Sequence, residues 1–137
     1  MTRMAWKGLG ADTLIWWSEF DGVNWSPQQP LADRHTSGSP ALTSVGDNLY
    51  MSWRGVDPDN HIWWSQFVGN QWSPPKQLDD RRTALSPALA SGPNPLYMAW
   101  SGVDPAANIW WSTFDGFQWS PQQPLTDRAT DRNPALV

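Results

Sequence analysis

The sequence predicts an all-β fold built from a tandem repeat. All twelve tryptophans fall into three groups of four, and equivalent tryptophans are spaced by 47 residues without insertion or deletion. Thirteen prolines and ten glycines separate short apolar segments, as in chains of short strands joined by turns. No segment places apolar residues at the i, i+3, i+4, i+7 spacing of an amphipathic helix, so we expect almost no helix.

The repeat has the length of one blade of a β-propeller. From Met4 to Leu42, 19 of 39 positions are identical in all three copies. The shared pattern reads Met-x-Trp-x-Gly, Ile-Trp-Trp-Ser-x-Phe-x-Gly, Trp-Ser-Pro, Leu-x-Asp-Arg-x-Thr and Pro-Ala-Leu. A period near 47 residues with several short strands is typical of a propeller blade. We therefore expect a β-propeller of four-stranded blades, with repeats at about 1–43, 44–90 and 91–137.

Each repeat divides into four β-prone segments. In the middle of the chain these are residues 49–54, 61–67, 71–78 and 87–90. Phe67-Val68-Gly69-Asn70 is expected to form a tight hairpin. The tryptophans that follow this hairpin and its equivalents are expected to be buried: Trp25, Trp72 and Trp119.

Three repeats are too few to close a ring, since propellers have about four to eight blades. The chain starts in phase with Asn48, inside a repeat, and ends with a segment in phase with Leu42. We expect the C-terminal strand, residues 134–137, to complete the first blade of a partner chain. A homodimer with six blades is favoured, and a trimer with nine is the alternative. The chain could also be a fragment of a longer propeller, and that alternative is compatible with either the dimer or the trimer.

The hairpin segment Ser18-Glu19-Phe20-Asp21-Gly22-Val23-Asn24-Trp25 resembles the Asp-box hairpin of sialidase-like propellers. That resemblance implies that the Trp-Ser-Pro strand is outermost in the blade and the Pro-Ala-Leu strand innermost. Through Phe-Asp-Gly-x-x-Trp, the chain also resembles the six-bladed fucose-binding lectins. The positions of that family's fucose-binding Arg and Glu hold Tyr50 and Trp64 here. The resemblance therefore implies a sugar-binding propeller without the fucose-specific pair.

Two sets of repeated residues are candidates for ligand binding. The paired tryptophans are adjacent on one strand, so their rings project to opposite faces, and one ring of each pair could stack on a sugar. The alternative is packing between blades. The arginine set is expected in the links between blades, where guanidinium groups bind hydroxyls or anions or clamp neighbouring blades. The candidates are Trp16, Trp17, Trp63, Trp64, Trp110, Trp111, Arg34, Arg81 and Arg128.

No catalytic or metal-binding pattern is present in the sequence. The two histidines, His35 and His61, occupy positions that do not repeat, and no Ser, His and acid set stands out. The turn Asp57-Pro58-Asp59-Asn60 has oxygen ligands of the kind calcium prefers, but the other repeats do not keep them. We expect no enzymatic activity, no cofactor and no metal, with the turn serving only as a turn.

The charge pattern limits the classes of partner. The net charge is −4, and the nine Lys and Arg residues are scattered. Nucleic-acid binding needs a basic stripe, so we expect none. No segment approaches the ~20 apolar residues of a membrane span, and no cysteine is present. We expect a soluble chain without a signal peptide and without membrane insertion, whose location the sequence does not indicate.

The leading functional hypothesis is a lectin with repeated carbohydrate-binding sites between blades, whose partners are glycans and further copies of itself. A structural or self-assembling propeller fragment without a ligand of its own is the alternative. A third is a sialidase-like hydrolase, since three repeated arginines are available. Fold alone does not choose among these functions.

Overall fold

The computed structural model describes residues 1–137 as an all-β protein of twelve strands in three separate sheets. The first sheet contains β1 (Thr2–Lys7), β2 (Leu14–Phe20) and β3 (Gln29–His35). The second contains β4 (Ala41–Val45), β5 (Asn48–Arg54), β6 (His61–Val68), β7 (Gln71–Trp72) and β8 (Lys76–Arg82). The third contains β9 (Ala88–Ser91), β10 (Leu96–Ser101), β11 (Asn108–Phe114) and β12 (Gln123–Ala129). The absence of helix agrees with the sequence-based expectation.

The three sheets repeat one antiparallel register at the 47-residue interval. Trp6 pairs with Trp16 in the first sheet, and the equivalent tryptophans pair in the second and third sheets. A further strand pairs with β5 in the second sheet and with β10 in the third: β4 places Leu42 opposite Met51, and β9 places Leu89 opposite Met98. The first sheet has no such strand, so β1 is an edge. The three sheets do not close on one another.

The outer strand of each sheet differs from the sequence-based expectation. Residues 71–78 were expected to form one strand, with Arg81 in the link that follows. Instead β7 ends at Trp72, and a second strand, β8, contains Arg81. Pro74 and Pro75 separate the two because proline has no N–H to donate to a ladder. The expected placement of the arginines in links is therefore wrong: all three lie in outer strands.

The hairpin turns take two forms. In the first sheet, Asp21 Oδ1 accepts hydrogen bonds from the N–H groups of Val23 and Asn24, both at 2.8 Å. Asp115 does the same in the third sheet. Val68 cannot accept such bonds, and the second sheet instead uses a two-residue turn in which Gly69 and Asn70 both have positive φ, as a tight hairpin requires.

Aromatic side chains pack between neighbouring sheets. Trp17 of the first sheet lies 5.3 Å from Phe67 and 5.7 Å from Trp72, between ring centroids. Trp64 repeats the arrangement toward the third sheet, at 4.9 Å from Phe114 and 5.8 Å from Trp119. Tilted and edge-on pairs of this kind add about 0.5–1.5 kcal/mol each beyond the burial of apolar area. They join the three sheets into one packed array.

The expectation that Trp25 is buried is wrong. Its side chain is 47% exposed, whereas Trp72 and Trp119 are half-buried. Trp72 and Trp119 each lie against a tryptophan of the preceding sheet, and no sheet precedes the first. Burial of this residue therefore depends on a neighbouring sheet rather than on the hairpin alone.

The chain has no helix of the length and apolarity needed to cross a membrane.

Candidate functional site

Two grooves of the same design run between neighbouring sheets. The Trp63 groove has a volume of about 170 Å³, and the Trp110 groove about 150 Å³. The Trp63 groove is lined by Asp33, His35, Trp53, Gly55, Val56, Asp59, Trp63 and Pro75. The Trp110 groove is lined by Asp80, Arg82, Trp100, Gly102, Val103, Asp104, Trp110 and Gln122. Seven of these eight positions are equivalent at the 47-residue interval, so the repeat builds the same concave surface twice.

Asp59 holds the ring of Trp63 in the first groove. Trp63 Nε1 donates to Asp59 Oδ2 at 2.8 Å, and Asp59 Oδ1 accepts from the backbone N–H of His61 at 3.0 Å. The carboxylate packs directly on Gly55, where an added Cβ would overlap it. The glycine of the Met-x-Trp-x-Gly pattern is therefore needed for close approach. The ring is half-buried, with its polar edge already satisfied.

In the Trp110 groove a carboxylate at a different position of the repeat accepts the indole hydrogen bond. Ala106 occupies the position equivalent to Asp59, and Asp104 supplies the carboxylate from two residues earlier. Trp110 Nε1 donates to Asp104 Oδ1 at 3.3 Å, a longer bond than the one in the first groove. We infer that Trp110 is held less firmly than Trp63.

The structure separates the two members of each tryptophan pair. Trp63 and Trp110 line the grooves, and Trp16 is held in the same way by Asp12 at 2.8 Å. Trp17 and Trp64 are buried in the aromatic packing between sheets. Trp111 lies on the outer face of the third sheet and is half-buried, beside an apolar cavity of about 330 Å³. In the second and third repeats, therefore, the first tryptophan of the pair lines a groove and the second does not.

Arg34 and Arg81 join neighbouring sheets and are almost fully buried, at 2% and 3% exposure. Arg34 Nη2 donates to the Ser73 carbonyl, and Arg81 Nη2 donates to the Ser120 carbonyl. The guanidinium carbon of Arg34 lies 5.6 Å from the ring centroid of Trp53 and 5.1 Å from that of Trp72. These contacts favour the alternative in which the arginines hold neighbouring sheets together.

The guanidinium groups of Arg34 and Arg81 are buried and only partly satisfied, since Nε of both and Nη1 of Arg34 have no hydrogen-bond partner. Burial lowers the pKa of Arg34, and the carboxylate of Asp33 acts in the opposite direction; the two groups lie 3.4 Å apart. Arginine stays protonated at neutral pH, so a positive charge lies between two indole faces in each interface. The third arginine differs, since the side chain of Arg128 is 58% exposed and pairs only with Asp127.

Polar groups surround each groove at its rim. The carboxylates of Asp33 and Asp80 have side chains that are each 60% exposed. His35 Nδ1 is 2.8 Å from Thr13 Oγ1, and Arg82 Nη1 donates to Asn60 Oδ1 at 2.9 Å. Gln122 Nε2 crosses the Trp110 groove to the Asp80 carbonyl at 2.7 Å. Each groove therefore offers an indole face together with hydrogen-bonding groups.

Sequence reasoning missed the carboxylates that orient the tryptophans. Asp59 was read only as part of a turn, because the carboxylate is absent from the same position of the third repeat. The signal that could have revealed it is the glycine four residues before it in the first two repeats.

No cluster of three or more His, Cys, Asp or Glu side chains is arranged to hold a metal ion.

No model of a protein family matches this chain, and no curated protein matches it. The chemistry of the two grooves is therefore the basis for a functional proposal.

Proposed function

We propose that this protein binds carbohydrate in the grooves between its sheets, and that the three sheets are blades of a propeller. The observation that carries the binding proposal is the repeated pairing of a fixed, half-buried indole with exposed polar groups. An indole face accepts the apolar C–H face of a sugar ring, and carboxylates, amides and guanidinium groups bind its hydroxyls. The exposed carboxylates of Asp33 and Asp80, which line the two grooves, support the second role.

The size of the grooves supports a small or terminal saccharide. Pockets for drug-sized ligands have volumes of roughly 300–1,000 Å³, and each groove here is smaller. A shallow site of this kind holds one sugar unit with few contacts, so we expect weak affinity for a free monosaccharide. Repeated sites raise the apparent affinity by about 10²–10⁴ when several engage one surface.

The propeller proposal is supported by the repetition of register and interface. Each sheet is an antiparallel meander with the same strand pairing, and each packs on the next through the same aromatic and arginine contacts. When each sheet packs on the next in the same way, the sheets are arranged around a common axis, as in a propeller.

The proposal is tested with a glycan array followed by calorimetric titration of the best neutral glycan. We expect binding to multivalent glycans and a loss of at least tenfold in affinity in the double variant Trp63→Ala/Trp110→Ala. The matched control is Phe117→Ala, which removes an aromatic ring that is 94% exposed at a hairpin tip away from both grooves. Folded protein that is silent across the array would contradict the proposal and favour a structural protein without a ligand.

A further inference from the structure

We propose that the exposed face of the third sheet docks on the exposed face of the first sheet of a second copy, through the contacts that already join the sheets within one chain. The second interface within the chain repeats the aromatic contacts and the arginine–carbonyl contact of the first, between residues 47 positions further along the sequence. Continuing that series by one step pairs residues of the third sheet with residues of the first sheet.

The aromatic contacts show the series most directly. Trp17 packs on Phe67 and Trp72, and Trp64 packs on Phe114 and Trp119. The next step places Trp111 against Phe20 and Trp25 of the second copy. Trp25 is 47% exposed in the single chain, and within its own sheet it contacts Phe20 at 5.2 Å. The receiving surface is thus already formed.

The third arginine of the series, Arg128, has no neighbouring sheet to contact within its own chain. Arg34 reaches the Ser73 carbonyl and Arg81 reaches the Ser120 carbonyl. Arg128 is the next member and has a mostly exposed side chain. Its equivalent acceptor is the carbonyl of Ser26, to which Ser18 already donates at 2.8 Å, as Ser65 does to the Ser73 carbonyl and Ser112 to the Ser120 carbonyl.

Two further series of hydrogen bonds between sheets stop at the third sheet, where the next member would need a residue of a second copy. The Ser39 N–H donates to Ser86 Oγ, and the Ser86 N–H donates to Asn133 Oδ1, both at 2.8 Å. The next step joins the Asn133 N–H to Ser39 of the second copy. Gln122 donates to the Asp80 carbonyl, and by the same step Gln28 of the second copy reaches the Asp127 carbonyl.

Strand pairing extends the same interface. In the second and third sheets an innermost strand covers β5 and β10, while β1 is an uncovered edge. Residues 134–137 carry the same Pro-Ala-Leu sequence and lie outside every sheet of their own chain. By the register of the other sheets, Leu136 is opposite Met4 of the second copy. Met4 is 45% exposed, whereas the equivalent Met51 and Met98 are fully buried.

Docking also completes a third groove that neither copy contains alone. Its walls are Trp6, Asp12 and Trp16 of one copy and Asp127 and Ala129 of the other, at the positions equivalent to those that line the Trp63 groove. As a ligand site this groove rests on the proposed function, but the docking itself does not. Two copies, each with two such faces, form a closed ring of six sheets.

The first test is the mass of the full chain in solution at micromolar concentration. We expect about 31 kDa, twice the 15.5 kDa of one chain. The variants Trp25→Ala and Arg128→Ala are expected to give a folded monomer, because neither side chain contacts another sheet of its own chain. Phe117→Ala, outside the interface, is expected to leave the mass unchanged. A monomeric wild-type chain would overturn the docking, and a mass of three chains would overturn closure by two copies.

The second test fixes the register and does not depend on sugar binding. The chain has no cysteine, so the double variant Met4→Cys/Leu136→Cys reports a single pairing. We expect a covalent dimer under oxidising conditions and none in the control Val23→Cys/Leu136→Cys, because Val23 is 80% exposed at a hairpin tip, equivalent to Phe117 and outside the interface. A disulfide within one chain, or no disulfide, would overturn the register. Carbohydrate binding by a monomer would leave the proposed function intact while refuting the docking.

Discussion

Arg81 and Ser120 join the second and third sheets: the guanidinium Nη2 of Arg81 donates to the Ser120 carbonyl, while Nη1 donates to Ser112 Oγ at 2.9 Å. Arg81 is 3% exposed and lies between the rings of Trp100 and Trp119. Of the two roles that the sequence left open for Arg81, ligand binding and a clamp between neighbouring repeats, these contacts favour the clamp.

Replacing Arg81 by alanine should destabilise the fold. Hydrogen bonds to a charged group contribute about 1.5–3 kcal/mol, so we expect the free energy of unfolding in urea to fall by roughly that amount. The control is Arg132→Ala, whose side chain is 82% exposed and should change stability by less than about 0.5 kcal/mol. Both are compared at one protein concentration, because assembly shifts apparent stability. Equal effects of the two substitutions would refute the clamp.

Replacing Asp59 by alanine should weaken the Trp63 groove selectively. The indole N–H of Trp63 loses its acceptor, and leaving a half-buried donor without a partner costs about 1–3 kcal/mol. We expect the ring to reorient and calorimetric affinity for a neutral glycan to fall, with about half of the sites in a single chain affected. Asp47→Ala, an exposed carboxylate in a turn, is the control. Unchanged affinity and stoichiometry in Asp59→Ala would contradict the assigned role.

The carboxylates that hold the tryptophans make the fold sensitive to acid. Hydrogen bonds from the Trp16 indole and the Leu14 N–H lower the pKa of Asp12 below its ordinary value of 3.8. Burial acts to raise the pKa of Asp59, but hydrogen bonds from the His61 N–H and the Trp63 indole leave it lowered. A carboxylate with a depressed folded-state pKa stabilises the fold above its unfolded pKa, and this contribution is lost as the pH falls through the folded value.

We therefore expect the contribution of these two carboxylates to stability to be constant from about pH 5 to pH 8. Below the ordinary aspartate pKa of 3.8 this contribution should decrease progressively as the pH falls. The measurement is urea unfolding across this range for the wild type and the double variant Asp12→Asn/Asp59→Asn. The stability difference should narrow in acid. A difference that stays constant below that value would show that ionisation of the two carboxylates does not matter.

Binding should be insensitive to salt. The net charge is −4, and the buried arginines are not available to polyanions. Interactions between exposed charges weaken as salt screens them, whereas stacking and neutral hydrogen bonds persist. We expect affinity for a neutral glycan to change little between low and high salt, and no binding to heparin or DNA. Tight, salt-sensitive binding of a polyanion would contradict the groove assignment.

The repeated residues allowed the all-β class and the division into three sheets to be predicted from the sequence. The interval between Trp53 and Trp100 predicted the number of sheets and much of their strand composition, since turn residues and β-prone segments recur in phase. The prediction was wrong at the proline that follows Trp-Ser in every repeat, because the outer strand is interrupted there in all three sheets, at Pro27, Pro74 and Pro121. One repeat also departs from the others, since Val68 requires a different hairpin turn from Asp21.

The candidate site was only partly predictable, because burial depends on neighbours that a repeat pattern does not reveal. Trp63 and Trp64 are adjacent and equally conserved among the three repeats, yet one lines a groove and the other packs between sheets. Strand alternation shows that they face opposite ways but not which face a neighbouring sheet covers. Asp59 was missed because its partner, the indole of Trp63, is identified only once the turn and strand are placed.

The central claim is that the indole rings of Trp63 and Trp110 contact carbohydrate in the two grooves, and the indole N–H signals of the twelve tryptophans test it most directly. In a nuclear magnetic resonance titration with the best neutral glycan, the signals of Trp63 and Trp110 should shift in a saturable way. The signals of Trp17 and Trp64, which are buried between sheets, should stay in place. Shifts confined to other tryptophans, or none at saturating glycan in the folded protein, would contradict carbohydrate binding in these grooves.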